Sequence, residues 1–163
     1  MDTKPVRRLP LALGVAAAVL VVDQATKFWA ERTLTGREPI QVLGDFLQFR
    51  LLYNPGAAFS MGENATWLFT IIAALAAGWL LWYVVRPHPV SQVIAFSLLL
   101  GGATTHLLDR LFRDPGFARG HVVDFIDYNG WFVGNVADIA LTFGAVFAFI
   151  VTARQKEPAE SRE

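Results

Sequence analysis

Four long apolar segments constrain this chain more than any other feature of its sequence. The hydrocarbon core of a bilayer is about 30 Å thick, and about 20 residues of α-helix cross it. Segments of this length run over residues 9–30, 65–85, 93–112 and 132–153. Charged residues make up only 17% of the chain, against about 25% in an average soluble domain. The sequence therefore predicts an all-α membrane protein with four transmembrane helices, built as a single integral membrane domain over residues 1–163.

The first segment also has features of a cleaved signal peptide, since Lys4, Arg7 and Arg8 precede an alanine-rich apolar run. A membrane span is favoured because three more spans follow, and because Asp23 and Lys27 stand where a cleavage site would lie. Lysine and arginine are evenly divided between the two sides of the membrane. The basic cluster ahead of the first helix, which usually dominates, therefore decides the orientation, and we expect both termini in the cytoplasm.

The regions between the spans differ in length and character. They are outer loops at residues 31–64 and 113–131, and a charged cytoplasmic tail at 154–163. In the first outer loop, residues 40–43 and 46–53 flank Gly44-Asp45, a pair suited to the type II′ turn of a hairpin. We therefore predict a small extracytoplasmic β-hairpin in this loop.

Polar side chains within the spans collect near the outer side of the membrane. They are Asp23 and Lys27 in the first span, His106, Asp109 and Arg110 in the third, and Asn135 and Asp138 in the fourth. Asp124 lies in the loop just before the fourth span. Ionisable groups inside a membrane are costly and usually functional. The inner halves of the spans hold no ionisable residue, so the pattern predicts a site open to the outer face and disfavours a transport pathway.

The residue types that are absent exclude several kinds of chemistry. The chain has no cysteine, which excludes a thiol nucleophile and thiolate metal sites. It has no G-x-S-x-G or H-E-x-x-H motif, and its three histidines are scattered, so we expect no metal and no cofactor. The formal net charge of +0 argues against a nucleic-acid partner.

Two carboxylates, Asp124 and Asp138, remain as candidates for chemistry. Carboxylates held together in a poorly solvated place share one proton. The charged member can then take a proton from a water that attacks a peptide carbonyl, while the protonated member donates to the carbonyl oxygen. Because such a pair titrates as a unit, neither aspartate receives a fixed role.

Simpler interpretations stay open on spacing alone. Asp124 could cap a helix or face water, and Asn135 and Asp138 could form hydrogen bonds between helices. The remaining charges are most simply interpreted as the ion pairs Asp23–Lys27 and Asp109–Arg110, with Asp45 and Asp127 facing solvent.

Several segments together resemble the lipoprotein signal peptidases (signal peptidase II). They are residues 23–27 (DQATK), 53–60 (YNPGAAFS), 101–103 (GGA) with 109–110 (DR), 120–125 (GHVVDF) and 135–138 (NVAD). The resemblance covers residues 9–153 in the same order and topology. It implies an intramembrane aspartyl protease with Asp124 and Asp138 as the catalytic dyad. Supporting or substrate-binding roles are expected for Asp23, Lys27, Asn54, Gly56, His106, Arg110 and Asn135.

The resemblance also implies a substrate and a location. The substrate would be a prolipoprotein whose cysteine bears a diacylglyceryl group, cut on the N-terminal side of that cysteine. The hairpin would form a cradle at the membrane surface over this substrate. Further expected partners are membrane phospholipid and globomycin-type peptide inhibitors. The location would be the bacterial inner membrane, with the active site at the outer leaflet.

The chain departs from the family pattern in two places. The family has Gly-Asn where this chain has Thr105-His106, and it usually has Pro-x-Phe where residues 132–134 read Phe-Val-Gly. We interpret this as an exchange in which bulk is lost at Gly134 and gained at Thr105 and His106. An imidazole can donate a hydrogen bond as an amide does, but it titrates near neutral pH. We therefore expect His106 to take the role of the missing asparagine and to make activity more pH-dependent.

Two other function classes compete with the protease. A small four-helix transporter would use Asp23, Asp109 and Asp138, and it would need polar groups that reach the inner side. A catalytically inactive relative could bind lipoproteins without cutting them, although the intact aspartate pair argues against it.

Overall fold

The computed structural model describes residues 8–56 and 65–155, and within these it contains four α-helices. The helices are α1 (Leu9–Leu34), α2 (Thr66–Val84), α3 (Val90–Phe112) and α4 (Val136–Gln155). All four are long and apolar enough to cross a membrane. The four predicted helices are thus confirmed, with shifted ends. The largest shifts are of four residues: α1 continues to Leu34, and α4 begins at Val136 because residues 132–134 form a strand.

Helix α3 is the centre of the bundle. Half of the residues in its apolar stretch are buried (50%), against 11% in α1 and 22% in α2 and in α4. It packs against all three other helices. Two glycines allow this close approach, since a Cβ atom at Gly101 would lie 2.7 Å from the Cβ of Val19, and one at Gly102 would lie 2.6 Å from the Cγ of Leu141. Small residues at helix crossings are typical of membrane bundles.

A four-stranded antiparallel sheet lies at the end of the bundle that carries the polar residues. Its strands are β1 (Ile40–Leu43), β2 (Leu47–Asn54), β3 (Val122–Tyr128) and β4 (Phe132–Gly134), in the order β1-β2-β3-β4. The predicted hairpin is β1–β2, and Gly44 at its turn has φ +53°, which glycine adopts without steric cost. The sequence prediction missed β3 and β4. Residues 122–127 are buried throughout, so they lack the polar–apolar alternation that marks a strand.

The sheet corrects the interpretation of two aspartates. Asp124 lies in β3, where it pairs in register with Leu52 of β2, and not in an irregular loop. Asp127 was predicted to face solvent, but it is buried. Its carboxylate lies 2.9 Å from Nε of Arg50 and accepts the Gly130 N–H at 2.7 Å. Asp45, by contrast, is exposed as predicted.

The predictions for both chain ends and part of the first outer loop lie outside the described residues. These are the basic residues Lys4 and Arg7, residues 57–60 of the YNPGAAFS segment, and the tail beyond residue 155.

Candidate active site

Asn135 connects the two candidate catalytic carboxylates. Its side-chain Nδ2 donates to Oδ1 of Asp124 at 2.6 Å, and its backbone N–H donates to Oδ2 of Asp138 at 2.9 Å. In return, the Asp138 N–H donates to Oδ1 of Asn135 at 3.2 Å. Asn135 directly precedes α4, so this reciprocal pair is a capping box at the helix N-terminus. The same bonds that start α4 therefore fix Asp138 next to Asp124.

Asp124 is held between two amides and is almost removed from water. Nδ2 of Asn54 donates to its Oδ2 at 3.0 Å, opposite the bond from Asn135. The residue is 3% exposed. Burial raises the pKa of Asp124 from 3.8 to about 6; the hydrogen bond from Asn54 lowers it, the charge of Asp138 raises it, and the bond from Asn135 lowers it. A carboxyl group in this state exchanges its proton near neutral pH, which general acid–base catalysis requires.

Both aspartates border a cavity of about 310 Å³ between α2, α3 and α4, which we name the central cavity. Its walls are mainly apolar and include Phe69, Ile72 and Leu141. Its polar lining consists of the two aspartates with Asn54, His106 and Arg110. The arrangement gives a polar wall at one side of an apolar chamber.

Arg110 binds backbone carbonyl groups. Its NH1 donates to the carbonyl oxygens of Asn54 and Pro55 at 3.0 Å and of Gly120 at 3.1 Å, and its NH2 donates to that of Gly56. The predicted Asp109–Arg110 ion pair is therefore wrong. Neighbouring residues of a helix point in different directions, and here Asp109 points toward α1. Arg110 instead fixes the end of β2, so that Asn54 reaches Asp124.

Gly56 completes this support from the same segment. Its N–H donates to Oδ1 of Asn54 at 3.0 Å, which orients the Asn54 amide so that Nδ2 faces Asp124. Gly56 also lines the central cavity.

A buried ionic network lies behind the dyad. Nζ of Lys27 lies 2.6 Å from Oδ2 of Asp23 and 2.7 Å from Oδ2 of Asp109, which confirms the predicted Asp23–Lys27 pair. Thr105 donates to Oδ2 of Asp23 at 2.6 Å. Oδ1 of Asp23 accepts the Ala137 N–H at 2.8 Å, which satisfies a donor in the first turn of α4 beside Asp138. Asp23 and Lys27 therefore support the start of α4 and do not line the central cavity.

His106 faces Asp138 from α3. Its Nε2 lies 3.3 Å from Oδ1 of Asp138. That nitrogen is buried and makes no aligned hydrogen bond within the part of the chain that the structure describes. The imidazole therefore lies close to the carboxylate of Asp138 without an aligned hydrogen bond to it.

The space beside Gly134 is filled by an aromatic ring. A Cβ atom at Gly134 would lie 2.6 Å from Cε1 of Phe132 and 2.7 Å from Oδ2 of Asp138. The ring of Phe132, two residues earlier in the chain, therefore occupies the space beside Gly134. The predicted exchange of bulk with Thr105 and His106 stays a prediction; Thr105 binds Asp23, and His106 faces Asp138.

Several residues of the site were missed at the sequence level. Gln24 donates to Thr105 at 2.7 Å and to Asp109 at 2.9 Å. Arg113 donates to Oδ1 of Asp109 at 2.8 Å and to Glu31 at 2.7 Å. The spacing of four residues between Asp109 and Arg113 signals such a pair. Within residues 8–56 and 65–155, no group of three His, Cys, Asp or Glu side chains is placed to hold a metal ion.

Comparisons with known proteins agree on one family. A family model described as signal peptidase (SPase) II matches residues 15–154. A lipoprotein signal peptidase of Mycolicibacterium smegmatis is 44% identical over 88% of this chain, and one of Mycobacterium avium is 38% identical over 98%. The match spans 61% of the first relative's length and 93% of the second's. A solved bacterial membrane enzyme has a TM-score of 0.81 at 26% identity, with 99% of each chain covered. This chain belongs to the signal peptidase II family.

Proposed function

We propose that this chain is a lipoprotein signal peptidase that works as an intramembrane aspartyl endopeptidase. It removes the signal peptide from diacylglyceryl-modified prolipoproteins and cuts on the N-terminal side of the lipidated cysteine. The relatives named lipoprotein signal peptidase support the substrate class. One observation carries the mechanism: Asn135 binds Asp124 and Asp138 together at the wall of an apolar cavity.

In the proposed mechanism, the two aspartates share one proton. The ionised member removes a proton from a water molecule as the water attacks the peptide carbonyl carbon. The protonated member donates its proton to the carbonyl oxygen, which gives a tetrahedral diol. When the diol collapses, the aspartate that took the proton from water passes it to the leaving amine, and a diol hydroxyl returns a proton to the other aspartate, so the pair again shares one proton. The raised pKa of Asp124, about 6, supports proton exchange by this pair near neutral pH. The hydrogen bonds from Asn54 and Asn135 hold Asp124 in place through both steps.

We further propose that the enzyme lies in the bacterial inner membrane with both termini in the cytoplasm and the dyad at the outer leaflet. The four helices can cross a bilayer, and the sheet, the ionic network and the dyad all lie at one end of them. A substrate anchored by a diacylglyceryl group stays at that depth in the membrane. Phospholipid therefore surrounds the site, and globomycin-type peptides are the expected inhibitors.

The test is cleavage of a diacylglyceryl-modified prolipoprotein by the purified enzyme, with a metal chelator present. Asp124→Asn and Asp138→Asn are each expected to lose about 10²–10⁴-fold in kcat, since each removes one partner of the proton transfer. Asp45→Asn is the matched control, because Asp45 is exposed on the hairpin and outside the central cavity. Near-normal turnover by either folded dyad variant would overturn the mechanism. An inactive wild type would overturn the function and favour the lipoprotein-binding alternative.

A further inference from the structure

Asp138 borders a second groove in addition to the central cavity. This groove, which we name the α4 groove, has a volume of about 690 Å³ and runs along the outward face of α4. Its lining includes Tyr128, Phe132, Ile139, Thr142 and Phe143. Ile139 is 38% exposed and Phe143 is 68% exposed, so the groove opens toward the surface that α4 presents to lipid.

The ring of Phe132 separates the two spaces. Phe132, Leu141 and Asp138 line both the central cavity and the α4 groove. The ring of Phe132 stacks near that of Tyr128, with ring centres 6.1 Å apart, and it lies against the backbone of Gly134. Any side chain at residue 134 would meet this ring. Asp138 is therefore reached from two sides, with an aromatic wall between them.

The two spaces differ in the groups that they offer. The central cavity presents Asn54, His106 and Arg110, which are hydrogen-bonding side chains suited to a peptide backbone. The α4 groove is larger, has mainly aromatic and aliphatic walls, and opens beside the exposed side chains of Ile139 and Phe143. Acyl chains that enter it lose little of their apolar environment, so their placement there has a low free-energy cost.

We propose that the α4 groove binds the acyl chains of the lipidated cysteine, while the central cavity binds the peptide on the other side of the scissile bond. This assignment rests on the proposed function. It follows from substrate chemistry: the cut directly precedes the lipidated cysteine, so the lipid and the signal peptide must leave the dyad in different directions. Phe132 keeps the two apart and thereby contributes to specificity.

The experiment compares two prolipoprotein substrates that differ only in acyl length, hexadecanoyl against octanoyl. Thr142 is exposed on the groove wall, one helical turn from Asp138, so Thr142→Trp narrows the groove. Thr142→Leu is a smaller, apolar change at the same lipid-facing site. It shows whether an effect of Thr142→Trp is only a folding defect. Val146→Trp is the matched control, since Val146 lies one turn further along the same face, is 54% exposed and does not line the groove.

We expect Thr142→Trp to raise the KM of the hexadecanoyl substrate about tenfold, because the indole ring takes up groove volume that the longer chain would otherwise fill. The octanoyl substrate should change far less, Thr142→Leu should be intermediate, and Val146→Trp should match the wild type. Ile72→Trp, which fills the central cavity, should raise KM equally for both substrates. The assignment would be overturned if Thr142→Trp raised KM equally for both substrates. It would also be overturned if Ile72→Trp, and not Thr142→Trp, raised KM more for the longer acyl chain. An inactive wild type would instead refute the proposed function.

Discussion

The burial of Asp124 should contribute stability at acidic pH that is lost at neutral pH. A carboxyl group whose native pKa is raised binds its proton more tightly in the native state than in the unfolded state. Its stabilising contribution is therefore complete below the unfolded pKa of 3.8 and is lost as the pH rises through about 6. The difference is about two pKa units at about 1.4 kcal/mol each, so the loss is about 3 kcal/mol.

Asp124→Asn removes this titration and keeps the size of the side chain. The new amide meets two amide donors, from Asn54 and Asn135, so it must give up one of the hydrogen bonds that the carboxylate accepts. That cost does not depend on pH. The stability of the variant relative to wild type should therefore rise by about 3 kcal/mol between pH 4 and pH 7.5, whatever its starting value.

The assay is thermal unfolding of both purified proteins in the same detergent across this pH range. For a chain of this length, about 3 kcal/mol corresponds to a relative Tm shift on the order of 6–12 °C. Groups that are not coupled to Asp124 contribute equally to both proteins and cancel in the difference. Asp45→Asn serves as the control and should show a flat difference, since Asp45 is exposed. A flat or falling difference for Asp124→Asn would show that the carboxyl group is not buried as the structure places it.

Four further predictions concern the surroundings of the dyad. Asp23→Ala should destabilise the protein by about 3–5 kcal/mol in thermal unfolding, because it leaves Lys27 buried with fewer partners. Arg110→Lys should cost about 1–3 kcal/mol and lower kcat, because an ammonium group cannot reach the same set of carbonyl groups. Gly134→Ala should lower kcat about tenfold or more, as its methyl group would lie 2.7 Å from Asp138, whereas Gly78→Ala, with open space around it, should not. His106→Asn should lower kcat, because it removes the imidazole whose Nε2 lies 3.3 Å from Oδ1 of Asp138, and an unchanged kcat would remove His106 from the chemistry.

The parts of the structure that follow from local sequence were predictable. Apolar length alone marks the four spans, and the spacing of Asp23 and Lys27 places them on one helix face, where they pair at 2.6 Å. The collection of polar residues at one depth likewise predicted where the site would lie. Each of these properties depends on residues within one helix or on its length, so no knowledge of distant partners is needed.

The parts that depend on distant partners were not predictable. The pairing of β2 with β3 joins residues about 70 positions apart, as in the hydrogen bond from Asn54 to Asp124. The burial of Asp127 follows from that pairing, since only the sheet brings it beside Arg50. The role of Arg110 could not be predicted for the same reason. Its acceptors are backbone carbonyl groups, which have no signature in a sequence.

The start of α4 explains why neighbouring positions 105 and 106 act on different parts of the site. The first turn of α4 takes one acceptor from Asp23, whose Oδ1 binds the Ala137 N–H, and one from Asp138, whose Oδ2 binds the Asn135 N–H. The Oδ2 of Asp138 is thus engaged in the helix cap, whereas its Oδ1 faces His106 at 3.3 Å. Thr105 instead donates a hydrogen bond to Asp23 at 2.6 Å, and Asp23 in turn accepts the Ala137 N–H of the first turn of α4. Substitution of Thr105 should therefore alter stability, and substitution of His106 should alter turnover.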